Sequence, residues 1–497
     1  METPRMSTTT DTIRAAAGYL ASWVEAQAAH QRVPGVQVAI RSEGELVLDL
    51  AVGVADVTTG EPLRTDHLFR IASHSKTFTA TAILQLVEQG RLRLDDPVGS
   101  YVPELADGGS PVAAVTVREL LGHQGGVIRD GDQADFWQLE YPFPDRATLL
   151  ADVLAHGHVH ERNEHFKYSN VGYSLLGLVI EAVTGTTFAE HLHTAVVAPL
   201  GVTHTGAELD PARAGEYAAG HTGLLLGAVD RETIEHVDTR AMAAATGFYS
   251  TAADLTVYGS AHCLGDTRLL SDDSKRIMQR LESVVSQDDG TEIGRYGVGI
   301  ELKTVGKRAL VGHSGGYPGH ITRTYIDPKA KLVVSVLTNA VDGPADQIAV
   351  GLLALVDLAL NPPKATDTTS DTATADGDAE TPAAEATTAD PARFTGRFAG
   401  LMGLMDLTVL GGRPVIVHPT YPDPKAAHDE LEVLDDDRLL LRAEASFGPA
   451  GEVVHLTRAE DGTITSVRVG GMTSWPLADF LARRSSMTRV AAPKVSA

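Results

Sequence analysis

Alternating apolar and polar positions near both ends of the first 360 residues predict antiparallel strands. Apolar side chains recur at every second position over residues 36–40 and again over 46–50, with a Glu-Gly turn pair between the two segments. Two further strand-like runs, 321–326 and 332–337, flank a second turn. Each pair of segments therefore predicts a β-hairpin.

Longer apolar runs between these hairpins have the length and spacing of helices. Residues 77–87 predict a buried helix that ends near Gly90, and residues 171–183 predict another that ends at Gly185, because glycine commonly follows a helix C-terminus. A third helix is predicted over 344–360. Antiparallel strands at both ends with helices between them favour an α+β domain over a doubly wound parallel sheet.

The composition of the chain changes after the third predicted helix. Residues 363–391 are rich in Ala, Thr, Asp, Glu and Pro and contain no aromatic residue, so we expect a flexible linker there. Short strand-like segments separated by turn residues then predict a small barrel or sandwich: 394–398, 407–410, 414–417, 431–434, 438–441, 453–456 and 464–469. The predicted organisation is an α+β domain over 1–362, the linker over 363–391, a β-barrel over 392–482 and a disordered tail over 483–497.

Composition and charge exclude several classes of function. The 497-residue chain carries a net charge of −24, which argues against nucleic acid and anionic membrane surfaces as partners. Its single cysteine, Cys263, cannot form an internal disulfide. No run of 18 apolar residues predicts a transmembrane helix. Residues 15–24 could be a signal peptide, but Asp11 precedes them and their apolar positions have helical spacing, so we expect a cytoplasmic protein.

Ser73 and Lys76 form a Ser-x-x-Lys pattern at the start of the first predicted helix. Residues three apart on a helix share a face, so the lysine amine would lie beside the serine hydroxyl. The first turn of a helix also offers free N–H groups and a dipole that favour the negative charge on an attacked carbonyl. The pattern predicts a serine nucleophile, although a serine cap with a solvated lysine one turn later would look the same.

Two later motifs could complete such a site. Tyr168 and Asn170 stand just before the second predicted helix. A phenol beside an amine can act as a general base, and an amide can donate to a substrate carbonyl. His313 begins a His-Ser-Gly-Gly segment after an apolar run, where glycines allow a backbone to approach a ligand closely. Among the His-x-Gly patterns of the chain, only this one leads into a late hairpin.

Together these motifs resemble those of the penicillin-recognising serine hydrolases, which include class C β-lactamases, D-aminopeptidases, D-stereospecific peptidases and related esterases. The resemblance covers roughly residues 30–360 and extends to further blocks of sequence: 69–80, 90–97, 117–123 and 247–251. It implies a β-lactamase/penicillin-binding-protein-like fold, in which an antiparallel sheet carries helices on both faces beside an all-helical region.

The resemblance also implies roles for individual residues. Ser73 would be the nucleophile, Lys76 its activator, Tyr168 a base or proton relay, and Asn170 a ligand of the substrate and of the lysine–serine network. Lys76 and Tyr168 would take the Ser73 proton as its oxygen attacks a carbonyl, and the leaving group would depart protonated through Tyr168. This mechanism requires that burial lower the pKa of Lys76.

The third motif departs from that of β-lactamases. His313 stands where many members have the lysine of a Lys-Thr-Gly motif, and a histidine is neutral much of the time near pH 7. Ser314 and Gly315 would bind substrate, and the backbone N–H groups of Ser73 and Gly316 would form the oxyanion hole. The resemblance implies neither a metal nor a cofactor.

In having a histidine at this position, the chain resembles D-aminopeptidases and penicillin-binding-protein-type thioesterases. The latter are freestanding cytoplasmic enzymes that cyclise nonribosomal peptides. These thioesterases also join the hydrolase domain to a C-terminal lipocalin-like barrel. We therefore expect a serine hydrolase or acyltransferase that forms a Ser73 acyl-enzyme with amide, ester or thioester bonds of small, D-residue-containing peptides. The substrate would be a small molecule or short peptide, free or on a carrier protein, without a nucleic-acid or membrane partner.

Other interpretations of the same residues stay open. Residues 312–316 also fit the Gly-x-Ser-x-Gly elbow with Ser314 as nucleophile, but the pattern lacks the helix that should follow an elbow. Arg323 could anchor a substrate carboxylate, and Arg442 in the barrel could contact substrate. A group of histidines could bind a metal, although histidines on such a loop are more often solvated: His156, His158, His160 and His165. The alternative functions are a sensor that captures peptides or β-lactams without turnover, and a true β-lactamase.

Overall fold

The structure of the chain is a computed structural model. It describes residues 9–131, 134–224, 229–286, 290–361, 391–400, 403–425, 428–442, 452–469 and 472–483. The chain divides into two compact units, Ala28–Val350 and the combination of Met1–Gln27 with Gly351–Ala497. The boundary after Val350 differs from the predicted domain boundary after residue 362. The division also places residues 1–27 with the C-terminal part. The predicted linker up to residue 390, and the tail after residue 483, lie outside the described residues.

The elements of the described residues have the following bounds. The helices are α1 (Thr9–Gln31), α2 (Ser75–Glu88), α3 (Pro103–Asp107), α4 (Val117–Leu121), α5 (Arg146–His156), α6 (Asn170–Thr184), α7 (Phe188–Leu192), α8 (Ala198–Leu200), α9 (Ala243–Thr246), α10 (Ala252–Ser260), α11 (Asp272–Met278), α12 (Ala345–Leu360) and α13 (Leu477–Arg483). The strands of the first unit are β1 (Gly35–Ser42), β2 (Glu45–Asp56), β3 (Glu61–Pro62), β4 (Phe69–Arg70), β5 (Gly220–His221), β6 (Thr233–Ile234), β7 (Tyr249–Ser250), β8 (Ser283–Ser286), β9 (Glu292–Tyr296), β10 (Glu301–Val305), β11 (Arg308–Tyr317), β12 (His320–Asp327) and β13 (Leu332–Thr338). The remaining strands are β14 (Gly396–Gly400), β15 (Gly403–Leu410), β16 (Arg413–Val417), β17 (His428–Val433), β18 (Arg438–Leu441), β19 (Val453–Arg458), β20 (Ile464–Val469) and β21 (Met472–Pro476).

A large antiparallel sheet is the centre of the unit Ala28–Val350. Within the described residues it contains nine strands in the order β3-β2-β1-β13-β12-β11-β10-β9-β8. Both predicted hairpins are confirmed, since β1 pairs with β2 and β12 pairs with β13. Strands β12 and β13 are almost wholly buried, and α10 packs on β1 and β13. Strand β11, which carries the third motif, therefore lies inside the sheet rather than at its edge.

Helices α2 to α8 follow one another between β4 and β5. Helix α2 packs against α6 and α9, and its Phe78 ring stacks on Phe248 and Tyr258 with centroid distances of 4.3 and 3.7 Å. The helix predicted after Ser73 is confirmed, and the helix predicted up to Gly185 ends there, because Gly185 has a left-handed φ of +74°. The antiparallel sheet and the helical region confirm the predicted α+β class.

Three strands at one edge of the sheet were not predicted. Strands β9 and β10 contain charged and exposed positions, and β8 has only four residues, so their sequences carry a weak strand signal. They form because each pairs with its neighbour, β10 with β11, β9 with β10 and β8 with β9. Through this pairing β10 and β9 bring side chains next to the third motif.

The unit that contains the C-terminal residues is built around a closed barrel. Strands β14 to β21 form it within the described residues, which confirms the predicted barrel. Strand β21 was not among the predicted segments, yet it pairs with β14 and closes the barrel. Arg442, considered as a substrate contact, pairs with Glu432 at 2.5 Å. Apolar side chains fill the barrel core, among them Phe398, Leu407, Ile416, Leu439, Val454 and Val467.

Helix α1 is tied to the barrel within the same unit. The side chain of Gln27 is fully buried and donates to the carbonyl oxygens of Pro419 and Tyr421 at 2.7 and 3.1 Å. Arg397 on β14 donates to the carbonyl oxygen of Ser22 at 3.0 Å. Because a buried polar group needs such partners, Gln27 is a specific link between helix and barrel.

Among the described residues, no single helix has both the length and the hydrophobicity of a membrane span. One bent pair passes the same test by length and composition, Asn170–Thr184 followed by Phe188–Leu200, with an angle of 79° between its parts.

Replacing Gln27 with leucine should lower the free energy of unfolding by about 1–3 kcal/mol, because two carbonyl oxygens would lose their donor. Urea or thermal unfolding followed by circular dichroism measures this loss. The matched change Gln31→Leu, at the half-buried end of the same helix, should have little effect. Equal losses in the two variants would contradict the importance of the Gln27 hydrogen bonds.

Candidate active site

Ser73 lies in a single turn of 3₁₀ helix, Ala72–His74, directly before α2. Ala72 has a φ of +45°, a conformation that is uncommon for a residue with a side chain and that marks a strained turn. The Ser75 hydroxyl holds this turn, since it donates to the Ala72 carbonyl at 2.6 Å and accepts the N–H of Phe248 at 3.0 Å. Ser73 is partly exposed between buried neighbours, so the turn presents its hydroxyl to a substrate.

Lys76 lies in the first turn of α2 with its side chain fully buried. Its Nζ lies 3.2 Å from Ser73 Oγ, and it donates to Asn170 Oδ1 at 2.6 Å and to the Ala245 carbonyl at 3.0 Å. Burial lowers the pKa of Lys76 from 10.5 to about 7, because the ammonium loses its hydration. Near neutral pH a large fraction of Lys76 is therefore uncharged and able to accept the Ser73 proton.

Tyr168 also contacts the Ser73 hydroxyl. Its phenol donates to Ser73 Oγ at 2.8 Å, and Lys76 Nζ lies 4.7 Å from the centroid of its ring. Burial raises the pKa of Tyr168, so the phenol keeps its proton near neutral pH. Of the two groups, Lys76 is thus the better acceptor of the first proton, and Tyr168 is placed to donate one.

Asp130 fixes the orientation of Asn170. Asn170 is the first residue of α6, and its Nδ2 donates to Asp130 Oδ1 at 2.6 Å, which leaves its own Oδ1 free to accept from Lys76. Asp130 also accepts the indole N–H of Trp137 at 3.0 Å. Asp130 could not be predicted from the sequence, because it stands 40 residues before Asn170 on a loop without a motif of its own.

His123 holds the chain on both sides of Tyr168. Its carbonyl oxygen accepts the N–H of Lys167 at 2.8 Å, and its Nδ1 accepts the N–H of Ser169 at 3.1 Å. The imidazole is buried, with its ring centroid 4.4 Å from that of Tyr168. In the sequence His123 is only the last residue of a block that resembles the family, and its role could not be predicted because its contacts depend on the fold.

Strand β11 presses against the segment that carries Ser73. A Cβ atom at Gly315 would lie 2.1 Å from the carbonyl oxygen of Ile71, so only glycine allows this approach. Gly316 is exposed, and a Cβ there would meet Ile321 Cδ1 at 3.6 Å, an ordinary contact distance. The assignment of the Ser73 and Gly316 N–H groups to an oxyanion hole stays a prediction, which the close approach of the two segments supports.

His313 lies on β11 and is buried. Its Nε2 lies 3.0 Å from the Tyr296 hydroxyl, and its Nδ1 lies 2.6 Å from the carbonyl oxygen of Ser314. Burial lowers the pKa of His313 to about 4, so the ring is neutral at pH 7. Ser73, Lys76, Tyr168 and Asn170 thus form one hydrogen-bonded network, whereas His313 contacts Tyr296 beside that network.

Ser314 and Arg323 face each other on β11 and β12, and both contact Glu301 on β10. Ser314 Oγ donates to Glu301 Oε1 at 3.0 Å. Arg323 pairs with the same carboxylate and, at 2.7 Å, with Asp346, so the expected anchor for a substrate carboxylate is already paired. The elbow interpretation of Ser314 is wrong, because β11 turns directly into strand β12 rather than into a helix.

Three exposed side chains on the loop before α6 could hold a metal ion. The ligand atoms of His160, Glu164 and His165 all lie within 4.8 Å of one another. His156 and His158, the other members of the histidine tract, are not part of this cluster. The expectation that the protein uses no metal stays a prediction.

Known proteins are similar to much of this chain. The family model described as Beta-lactamase matches residues 20–358. Penicillin-binding protein 4* of Bacillus subtilis (strain 168) is 30% identical over 308 residues, which make up 58% of this chain and 65% of that protein. The chain therefore spans less than two thirds of the length of this relative.

Solved structures are similar over one or both units. The crystal structure of SurE has 25% identity and a TM-score of 0.56, and the match covers 95% of this chain and 100% of that one. A second structure contains SurE with D-Leu. D-amino acid amidase from Ochrobactrum anthropi SV3, solved with D-phenylalanine, has 27% identity and a TM-score of 0.54 over 66% of this chain and 92% of that one.

The rate at which a fluorophosphonate probe labels Ser73 should rise with pH around a midpoint near 7, because only neutral Lys76 can accept the Ser73 proton. The Asp130 carboxylate favours the ammonium form and raises the pKa of Lys76. Asp130→Asn keeps an acceptor for Asn170 but removes the charge, so the midpoint should move to lower pH. Mass spectrometry of samples labelled at a series of pH values measures both midpoints.

The control for this series is Asp135→Asn, which removes an exposed charge nearby and should leave the midpoint unchanged. A labelling rate that falls as pH rises, or a midpoint that does not respond to Asp130→Asn, would contradict the role given to Lys76.

Gly315→Ala should slow labelling of Ser73 at least about tenfold and lower the free energy of unfolding by about 1–3 kcal/mol, since the new methyl group must displace β11 from Ile71. Labelling kinetics and thermal unfolding measure the two effects. Gly316→Ala has room for its methyl group and should keep the wild-type unfolding temperature. Equal stability losses in both variants would show that the close approach at Gly315 is not the cause.

Proposed function

The chain belongs to the Beta-lactamase family of serine hydrolases, and from this membership we propose that it is an enzyme that forms an acyl-enzyme on Ser73. One observation carries the proposal: Ser73 Oγ lies 3.2 Å from the amine of Lys76 and 2.8 Å from the phenol of Tyr168. A hydroxyl between a lysine of lowered pKa and a protonated tyrosine has both a proton acceptor and a proton donor within reach.

Acylation proceeds in three proton transfers. Neutral Lys76 accepts the Ser73 proton as Oγ attacks the substrate carbonyl, and the negative charge on the carbonyl oxygen is stabilised by the N–H groups of Ser73 and Gly316. Each such donor contributes about 3 kcal/mol to the transition state. The bond to the leaving group then breaks, the leaving group takes a proton from Tyr168, and Lys76 returns a proton to the phenol.

The proposed substrates are amide, ester or thioester bonds of small peptides that contain D-residues. Two similar proteins support this class, because D-amino acid amidase has been solved with D-phenylalanine and SurE with D-Leu. The match to SurE also includes the C-terminal part of this chain, since it covers 95% of it. The neutral His313 supports a substrate other than a carboxylate-bearing β-lactam, because it offers no permanent cation.

The fate of the acyl group distinguishes two activities of the same site. Attack by water on the Ser73 ester gives hydrolysis, whereas attack by the amino terminus of the same peptide gives a cyclic product. In both cases the incoming nucleophile loses a proton to the Lys76–Tyr168 pair, and Ser73 regains one. We propose that the enzyme works in the cytoplasm on free or carrier-bound peptides without a metal or cofactor.

A peptidyl thioester that ends in D-Leu tests the proposal. The wild-type protein should consume it at least about tenfold faster than the matching L-Leu thioester, through an adduct on Ser73 detectable by mass spectrometry. A product lighter than the free acid by one water is the cyclic peptide, and the free acid itself is the hydrolysis product.

Ser73→Ala is the control variant, and it should lower the rate at least about 10³-fold because the covalent route is lost. Full activity in Ser73→Ala, or turnover without any adduct on Ser73, would overturn the proposal. A stable adduct that is never released would favour the alternative of a sensor.

A further inference from the structure

A carboxylate of this chain lies among the hydrogen-bond donors beside the third motif. Glu301 on β10 stands opposite Gly312 of β11. Its Oε1 accepts from the Ser314 hydroxyl at 3.0 Å and from the Ser314 backbone N–H at 3.4 Å, while its Oε2 accepts from Arg323. A hydroxyl, an N–H and a guanidinium therefore converge on the two oxygens of one carboxylate.

Such a set of donors is what a protein uses to bind a carboxylate from outside. In this protein the carboxylate of Glu301 occupies the position between these donors, and it is ionised. Burial alone would raise its pKa, but His313, the Arg323 guanidinium and the Ser314 hydroxyl hold the pKa at about 2. A second carboxylate, that of Asp346, lies 2.7 Å from Arg323 Nε, so the guanidinium pairs with two carboxylates.

The cluster lies close to the reacting groups. Ser314 directly precedes Gly315, whose backbone is pressed against Ile71 at the start of the Ser73 turn. Glu301 Oε1 also lies 3.5 Å from Nδ1 of His313, and the charge of Glu301 raises the pKa of both Lys76 and Tyr168. A substrate bound on Ser73 along β11 therefore meets Glu301.

We propose that Glu301 fills the carboxylate-binding position formed by Ser314 and Arg323, and that it selects acyl substrates with no free carboxylate at that point. The inference rests on the proposed Ser73 acyl-enzyme. It narrows the substrates to peptide esters, thioesters and amides, because a second carboxylate would meet a like charge and donors that are already used. Glu301 thereby determines specificity without touching the scissile bond.

Acylation by a penicillin and by the methyl ester of the same penicillin tests this inference. The two probes differ only in the carboxylate, and the second-order rate of Ser73 adduct formation is measured by mass spectrometry for each. The wild-type protein should react at least about tenfold faster with the ester than with the acid. In Glu301→Gln, which keeps the size and an acceptor oxygen, the ester-to-acid ratio should fall at least about tenfold as Arg323 becomes able to attract the acid.

The matched control is Glu292→Gln, which removes an exposed carboxylate on β9 and should leave the ratio unchanged. Equal wild-type rates for acid and ester, or a ratio unaffected by Glu301→Gln, would overturn the inference. Equal wild-type rates would overturn the inference even if the variant does not fold.

A fluorophosphonate, which carries no carboxylate, separates this inference from the proposed function. If the fluorophosphonate labels Ser73 but Glu301→Gln leaves the ester-to-acid ratio unchanged, the acyl-enzyme proposal is retained and the proposed role of Glu301 is wrong. If the fluorophosphonate does not label Ser73 in the wild-type protein, the proposed function itself is wrong.

Discussion

The buried amine of Lys76 is the interaction on which the rest of the site depends. A cation removed from water needs partners at short distance, and this one contacts Ser73, the Asn170 amide and the carbonyl oxygen of Ala245. These partners belong to the turn before α2, to α6 and to α9, so one amine joins three segments that are distant in sequence. The same burial lowers the pKa of the amine, and the packing that builds the site therefore also creates its proton acceptor.

Burial and the neighbouring charges have opposing effects on the pKa of Lys76. Burial dominates and lowers the pKa of Lys76, the nearby Arg129 lowers it further, and the carboxylates of Asp130 and Glu301 raise it. Without the carboxylates the amine would lose its proton too easily to return one to Tyr168, and without burial it would never give up its charge near neutral pH. The site needs opposing effects on this pKa, because one group must both accept and return a proton.

The parts of the site that follow from local geometry could be predicted from the sequence. Ser73 and Lys76 are one helical turn apart, and the hairpin of β12 and β13 follows from strand-like runs on either side of a turn. Asp130 and Glu301 could not be predicted, because only tertiary pairing brings a loop and a strand with a weak sequence signal to the site. The protonation of Tyr168 depends on burial, which no motif encodes, so the choice between base and proton relay could not be made from the sequence.

Three positive charges of the site have partners within the protein. The ammonium of Lys76 is surrounded by its hydrogen-bond partners, Arg323 is held between two carboxylates, and Arg129 lies 3.3 Å from Asp130. A lysine in place of His313 would add a second buried cation near Lys76, which like-charge repulsion disfavours. A neutral histidine avoids this cost and adds no cation for a substrate. For the proposed peptide substrates, binding energy would come from backbone N–H groups and apolar contacts rather than from a cation at position 313.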